Sequence, residues 1–357
     1  MKKILKISLL SSLIVSAIML SSCGQKESVS KIEEEKFYAP LSGVEVKENT
    51  DSKPAFAVML DNHPQARPQS GLNEADIIYE YKAEGQYTRY MAIFQNENPS
   101  VIGPVRSARP YFVNTASEYN AIYCHWGGSE AGYEQIKLDN VKDLDGIFLE
   151  GSTYYRNKEV KKRAPHNGYT SYDLLMKASE DKNYLDEYTL GRKFSFDNTE
   201  NLEKINKEMK NIKADNITFD FFPGFYSVNF IYSPEDDSYT LSRNGETVTD
   251  EKDGSDVKAK NIILEYASSK VTGPKLTLTI NHIGEGTGKL FTKGRVIDIT
   301  WEKSDENSPT IYRTADGEEI TLNPGLTFIE VMDEKDPVKI LPEEHSDNTE
   351  ESEDISK

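Results

Sequence analysis

The chain has 357 residues, with 42 Lys and Arg against 60 Asp and Glu, and a formal net charge of −18. That balance argues against nucleic acid or an anionic lipid surface as the main partner, because long-range repulsion opposes both encounters. With 20 Tyr and 14 Phe a sizeable core is feasible, and the length suits two domains of ordinary size once the leader is set aside.

The leader comes first. Lys2, Lys3 and Lys6 precede an apolar run from Ile7 to Leu20 that is too short for a stable membrane span. Leu20-Ser21-Ser22-Cys23 closes it as a lipoprotein signal does, with small residues before the cysteine. Residues 1–23 therefore read as a signal peptide whose cleavage frees Cys23 to carry lipid such as palmitate, which predicts an extracytoplasmic, membrane-anchored protein. The alternatives are an ordinary secretory leader with a chance cysteine, or a short membrane helix. Stable attachment takes more than one acyl chain, at about 0.8 kcal/mol per buried methylene. With Cys23 acylated, only Cys124 remains, so no disulfide can form within the chain.

Residues 24–36 are polar and read as a flexible tether. From 37 to 195 the pattern mixes strands with helices. Ala55 to Leu60, Ile77 to Tyr81, Arg89 to Phe94 and Ala121 to His125 are strand-like. A helix is expected from a cap at Ser107, with Pro110 in its first turn, to about Glu118, and another from Ser171 to Glu180. Asn198 to Asn211 reads as a linking helix. Beyond it the period changes to two, over Ile217 to Phe222, Val228 to Tyr232, Tyr239 to Ser242, Ile262 to Ala267, Leu276 to Ile280, Val296 to Trp301, Glu319 to Leu322 and Thr327 to Val331. Asn244-Gly245 and Asp316-Gly317 read as hairpin turns with positive φ at both central residues. The predicted fold class is α+β: an N-terminal mixed α+β domain (37–195) followed by a mostly antiparallel β C-terminal domain (196–342). Residues 343–357 form an acidic tail expected to be disordered.

Polar residues that are hard to explain as surface gather in five clusters: Asp61 to Leu72, Gly85 to Arg89, Ile102 to Phe112, His125 to Ser129 and Ala164 to Tyr169. Seven of the ten arginines lie in this half. Arginine offers a planar fork that matches carboxylate or phosphate. Arg106 and Arg109 near a helix start could hold an anion, or the arginines could pair internally with Asp76, Glu80 or Glu84. Asp61, His63, His125 and His166 could act as acid and base or as metal ligands, but no two histidines share a ligand spacing, so hydrogen-bonded structural roles are favoured and no metal or cofactor is implied. Cys124 and His125 would point to opposite faces of one strand and cannot form a dyad. Ser129 follows two glycines without the later glycine of a nucleophile elbow. Gly284-Glu285-Gly286-Thr287-Gly288 has no following Lys-Ser or Lys-Thr and reads as a hairpin loop rather than a phosphate loop.

Taken together, DNHPQARPQSGL from Asp61, ADIIYE from Ala75, EGQYTRYMAIF from Glu84, IGPVRSARPYF from Ile102, HWGGS from His125, APHNGYT from Ala164 and NPGLTFIEV from Asn323 resemble the YerB-like lipoprotein family, whose two domains are of unknown function (DUF3048). Gly85-Gln86-Tyr87 departs from that family's expected Gly-Gly-Ile or Gly-Gly-Val. The resemblance implies a two-domain envelope lipoprotein, largely of Gram-positive bacteria, and supplies no reaction.

The residues then predict a binding protein of the cell envelope, recognising an anionic ligand or a cell-wall assembly partner. Arg67, Arg89, Arg106 and Arg109 would grip the anion, Asp61, His63, His125, His166 and Asn167 would orient it, and Trp126 and Ser129 would complete the cleft. One alternative is a hydrolase or transferase acting on peptidoglycan or a related polymer through an Asp/His pair, and another is a purely structural partner protein without a small-molecule pocket. Convergence of these side chains on one cleft is the structural expectation that the binding and enzyme readings share.

Overall fold

Near-continuous apolar runs such as FAVML and IIYEY give strands buried on both faces, and ten strands form one mixed sheet. The structure, a computed structural model, describes residues 36–197, 212–273 and 277–341. The expected leader, the tether to residue 35, the 198–211 helix and the acidic tail lie outside the described residues. From one edge the sheet runs Ile311–Thr314, Arg295–Lys303, Gly284–Thr292, Asn261–Tyr266, Thr327–Met332, Ile77–Ala83, Tyr87–Phe94, Phe56–Asp61, Ile122–His125 and Asp143–Asp145. Its centre is the parallel pair of Ile77–Ala83 with Thr327–Met332. The segments expected as separate domains thus share a sheet, each contributing five strands.

Each face of this sheet is covered differently. Tyr79, Tyr81, Met59 and Ile329 face the helix Pro110–Glu118, which inserts Tyr111, Phe112, Val113 and Ala116. Ile78, Tyr90 and Phe328 face a second, six-stranded sheet that includes Asn216–Phe222, Tyr226–Ser233 and Ser238–Arg243, with the ring of Phe230 5.4 Å from that of Phe328. The α+β expectation is met in its coarse form, with strands outweighing helices. Among the described residues no helix is long and apolar enough to cross a membrane.

Local signals held where their chemistry was complete. Ser171 caps the helix Tyr172–Asp181 by accepting from the Leu174 N–H, and Asn244 and Gly245 both take positive φ, 48° and 85°. The first helix starts later than expected: Arg109, not Ser107, is its N-cap, and Pro110 its first residue. At Asp316-Gly317 only Gly317 has positive φ, so this turn is not of the expected type. Gly284 to Gly288 is strand rather than hairpin loop. Its glycines alternate on one face, and a Cβ at Gly286 would lie 2.6 Å from the indole of its cross-strand partner Trp301. The reversal falls instead at Lys293-Gly294.

Candidate functional site

Backbone pairing ties the five sequence clusters together, with Arg89 opposite Asp61 in the sheet and the Trp126 N–H donating to Arg106 O, and three of them supply the side chains that meet. The segment 102–106 runs along the strand Phe56–Asp61, with the Asp61 N–H donating to Pro104 O and the Arg106 N–H to Met59 O. The segment 168–170 then pairs with 102–105, the Val105 N–H donating to Gly168 O and the Thr170 N–H to Ile102 O. Asp61, Arg106 and His166 are carried to one place by this zipping.

Asp61 is 3 % exposed. Its Oδ2 lies 2.7 Å from His166 Nδ1 and 3.1 Å from Arg106 Nε, while Oδ1 accepts from the His63 N–H at 3.0 Å. A carboxylate only accepts, so His166 presents its proton at Nδ1. His63 is fixed the other way. Its Nδ1 accepts from the Gln65 N–H at 3.1 Å, capping the turn Pro64–Ala66, so the neutral ring carries its proton on Nε2. Burial, with His166 alongside, pulls the His63 pKa below its ordinary value and keeps the ring neutral at pH 7. The His63 ring stacks on that of His166 at 4.6 Å and also meets Tyr87 at 4.6 Å. The outer nitrogens of Arg106 have no partner among the described residues, and its side chain remains 24 % exposed.

Arg67 stands beside this group in a second, more deeply buried network. Its Nη2 donates to Asn62 O at 2.8 Å and its Nε to Asn62 Oδ1 at 3.2 Å, while the guanidinium lies over the Tyr226 ring. Asn62 Nδ2 is within 3.1 Å of Glu80 Oε1, and the Tyr226 hydroxyl donates to the same oxygen at 2.7 Å. Burial, followed by the charge of nearby Arg243, lowers the Arg67 pKa.

The remaining expected residues do not join. Arg109 and Arg89 both pair with Glu84, the internal pairing weighed above, and Arg109 also caps its helix. Burial works against ionisation of Glu84, yet the Arg109 hydrogen bond and the Arg89 charge hold its carboxyl below the ordinary value. His125 is fully buried between Gly127 O (2.9 Å from Nδ1) and Asp143 Oδ2 (3.2 Å from Nε2). Trp126 packs beneath Arg156, whose guanidinium lies 3.8 Å from the indole centroid. Ser129 accepts from the Gly132 N–H and so caps the helix Glu130–Leu138. Asn167 follows His166 in the chain, and its Oδ1 is buried without a partner among the described residues. Cys124 is buried and free, and burial pushes its thiol pKa well up. Among the described residues no three His, Cys, Asp or Glu side chains are grouped to hold a metal ion.

Sequence reasoning missed Tyr226, Arg243 and Glu330, and named Glu80 only as a possible internal partner of the arginines. Glu80 and Glu330 had a usable signal: each is a lone acid inside an apolar strand, IIYEYKA and TFIEVM. Tyr226 and Arg243 had none, since they sit at strand ends like many surface residues.

The fold and these clusters define a two-segment protein of the DUF3048 family. The chain belongs to it: the family model for the "Protein of unknown function (DUF3048) N-terminal domain" matches residues 41–185, and that for the C-terminal domain matches 217–329. One relative, named "Putative lipoprotein YerB", from Bacillus subtilis (strain 168), is 35 % identical over 327 residues, covering 90 % of this chain and 94 % of that protein. A crystal structure of the YerB protein from Bacillus subtilis matches with a TM-score of 0.74 at 31 % identity, over 85 % of this chain and 99 % of that one.

Proposed function

We propose that this protein is an extracytoplasmic lipoprotein, moored through Cys23, that binds an anionic envelope ligand at Asp61, His63, Arg106 and His166. The lipoprotein name of the Bacillus subtilis relative and the Leu20-Ser21-Ser22-Cys23 signal support the mooring. The observation that carries the binding is Arg106: its Nε lies 3.1 Å from Asp61 Oδ2, and no nitrogen of its guanidinium has a hydrogen-bond partner among the described residues, with the His63 ring stacked on His166 in the same cluster. Two donor groups then face an anion, with Asp61 fixing both rather than contacting it. The test is calorimetric titration of the soluble chain lacking the lipid with muropeptides and with poly(glycerol phosphate). Arg106→Gln should weaken binding of the active probe by about tenfold or more, the value of a charge-assisted hydrogen bond. Equal affinity for both proteins would refute the assignment.

A second reading rests on the Asp61–His166 contact of 2.7 Å. A carboxylate on Nδ1 leaves Nε2 of the neutral ring as a base, the arrangement an acid/base hydrolase or transferase needs, with Arg106 available for developing negative charge. Mass spectrometry of peptidoglycan fragments incubated with the protein decides it. New species that vanish with His166→Asn support catalysis, and unchanged fragments dismiss it.

A further inference from the structure

The strand register places Glu330 directly beside Glu80 across the central parallel pair, and both are fully buried. Neither carboxyl oxygen of Glu330 has a hydrogen-bond partner among the described residues, and burial together with the neighbouring Glu80 drives its pKa well above normal, so it is held neutral. Glu80 accepts from Thr88 and Tyr226, and burial raises its pKa too, opposed by the charge of Arg243 and by these hydrogen bonds. Arg243 is 5 % exposed; its Nε donates to the Tyr90 hydroxyl at 3.0 Å, and its Nη2 reaches the same oxygen. Neither Arg67 nor Arg243 forms an ion pair with a carboxylate among the described residues; Arg67 donates to Asn62 and Arg243 to Tyr90.

Both arginines line the same hollow of about 300 Å³, together with Pro68, Glu246, Thr247, Val248 and Thr249. No hydrogen bond engages Nη1 of Arg67 or of Arg243 among the described residues. A buried guanidinium and a half-buried one close enough to repel are an unstable arrangement unless a counter-charge joins them. The volume is at the lower end of small-molecule sites. The wall also carries one exposed acid, Glu246, on the hairpin that faces Arg67 and Pro68 across the hollow.

We propose that this hollow is a second binding site, for a small amino-acid-type zwitterion whose carboxylate is held by Arg67 and Arg243 and whose ammonium is held by Glu246. The charge pattern fits one carboxylate at the buried end and one cation at the rim. The site is separate from the Asp61 cluster and does not rest on that reading.

The test is titration of the soluble chain by 1H–15N NMR with alanine, acetate and inorganic phosphate as probes. Alanine should give saturable shifts at Thr247, Val248 and Thr249 and at the Nε–H of Arg67 and Arg243. Arg67→Gln should weaken alanine about tenfold or more. Glu246→Gln, an exposed change that spares the fold, should weaken alanine while leaving acetate unchanged. Absence of saturable shifts at 247–249 with every probe overturns the proposal, as do shifts confined to Asp61 and His166, which would support the first site alone. Phosphate binding more tightly than alanine would overturn the carboxylate assignment.

Discussion

Glu265→Gln should make the protein more stable at pH 8 and remove a pH dependence that the wild type carries. Glu265 lies on the strand Asn261–Tyr266, 3 % exposed, and its Oε2 accepts from the Tyr312 hydroxyl at 2.8 Å. Burial raises its pKa from 4.5 to about 7, with Glu118 adding to the effect and the Tyr312 hydrogen bond opposing it. Between these values the folded protein keeps a proton that the unfolded chain has lost. Unfolding then releases a proton, so stability falls as pH rises from about 4.5 and levels off above about 7. At about 1.36 kcal/mol per pH unit the full loss is on the order of 3 kcal/mol. Gln cannot ionise, and its amide oxygen still accepts from Tyr312. Urea unfolding of both proteins at steps from pH 4.5 to 8 isolates the effect, because every other titrating group is common to the pair. The difference should open towards alkaline pH. Parallel stability curves, or a gap that grows as pH falls, would refute a buried, neutral Glu265.

Glu84→Gln removes the partner of Arg89 and Arg109 and should cost about 2 kcal/mol at pH 7, less than a fully buried pair because the site is partly wet. Because the Glu84 pKa is depressed, that cost should be fully present above the ordinary carboxylate value, shrink below it and vanish once pH falls through the lower folded value, as read by thermal unfolding. Gly168→Ala would place a Cβ 2.6 Å from the Trp126 ring and should destabilise by about 1–3 kcal/mol, with a shift in the Trp126 fluorescence resolved against Trp126→Phe. Cys124 should resist thiol reagents in the folded protein and react only as fast as the chain unfolds, since the thiol is buried and its pKa raised. Rapid native labelling would show that the strand Ile122–His125 is not in the core.

The five clusters were legible because buried polar and arginine-rich loops depart from the surrounding pattern. Their pairings were not. His166 reaches Asp61 only because the 164–170 segment zips onto 102–105, and nothing local to either histidine or carboxylate announces a partner 105 residues away. The same holds for Arg89 and Arg109, whose forks fit an internal carboxylate as well as an external anion. Sequence could name Glu84 as a candidate partner but could not choose between that and a ligand.

What the amino-acid order determined by itself was local: alternation marked most strands, Ser171 marked a helix start, and Asn244-Gly245 marked a turn, each through chemistry that acts within a few residues. Tertiary structure alone decided that Ile77–Ala83 and Thr327–Met332 lie side by side, joining the two segments in one sheet and setting Glu80 against Glu330. Strand pairing is made by backbone groups that every residue shares, so register between distant segments is selected by the packing of whole faces, which no short stretch of sequence contains.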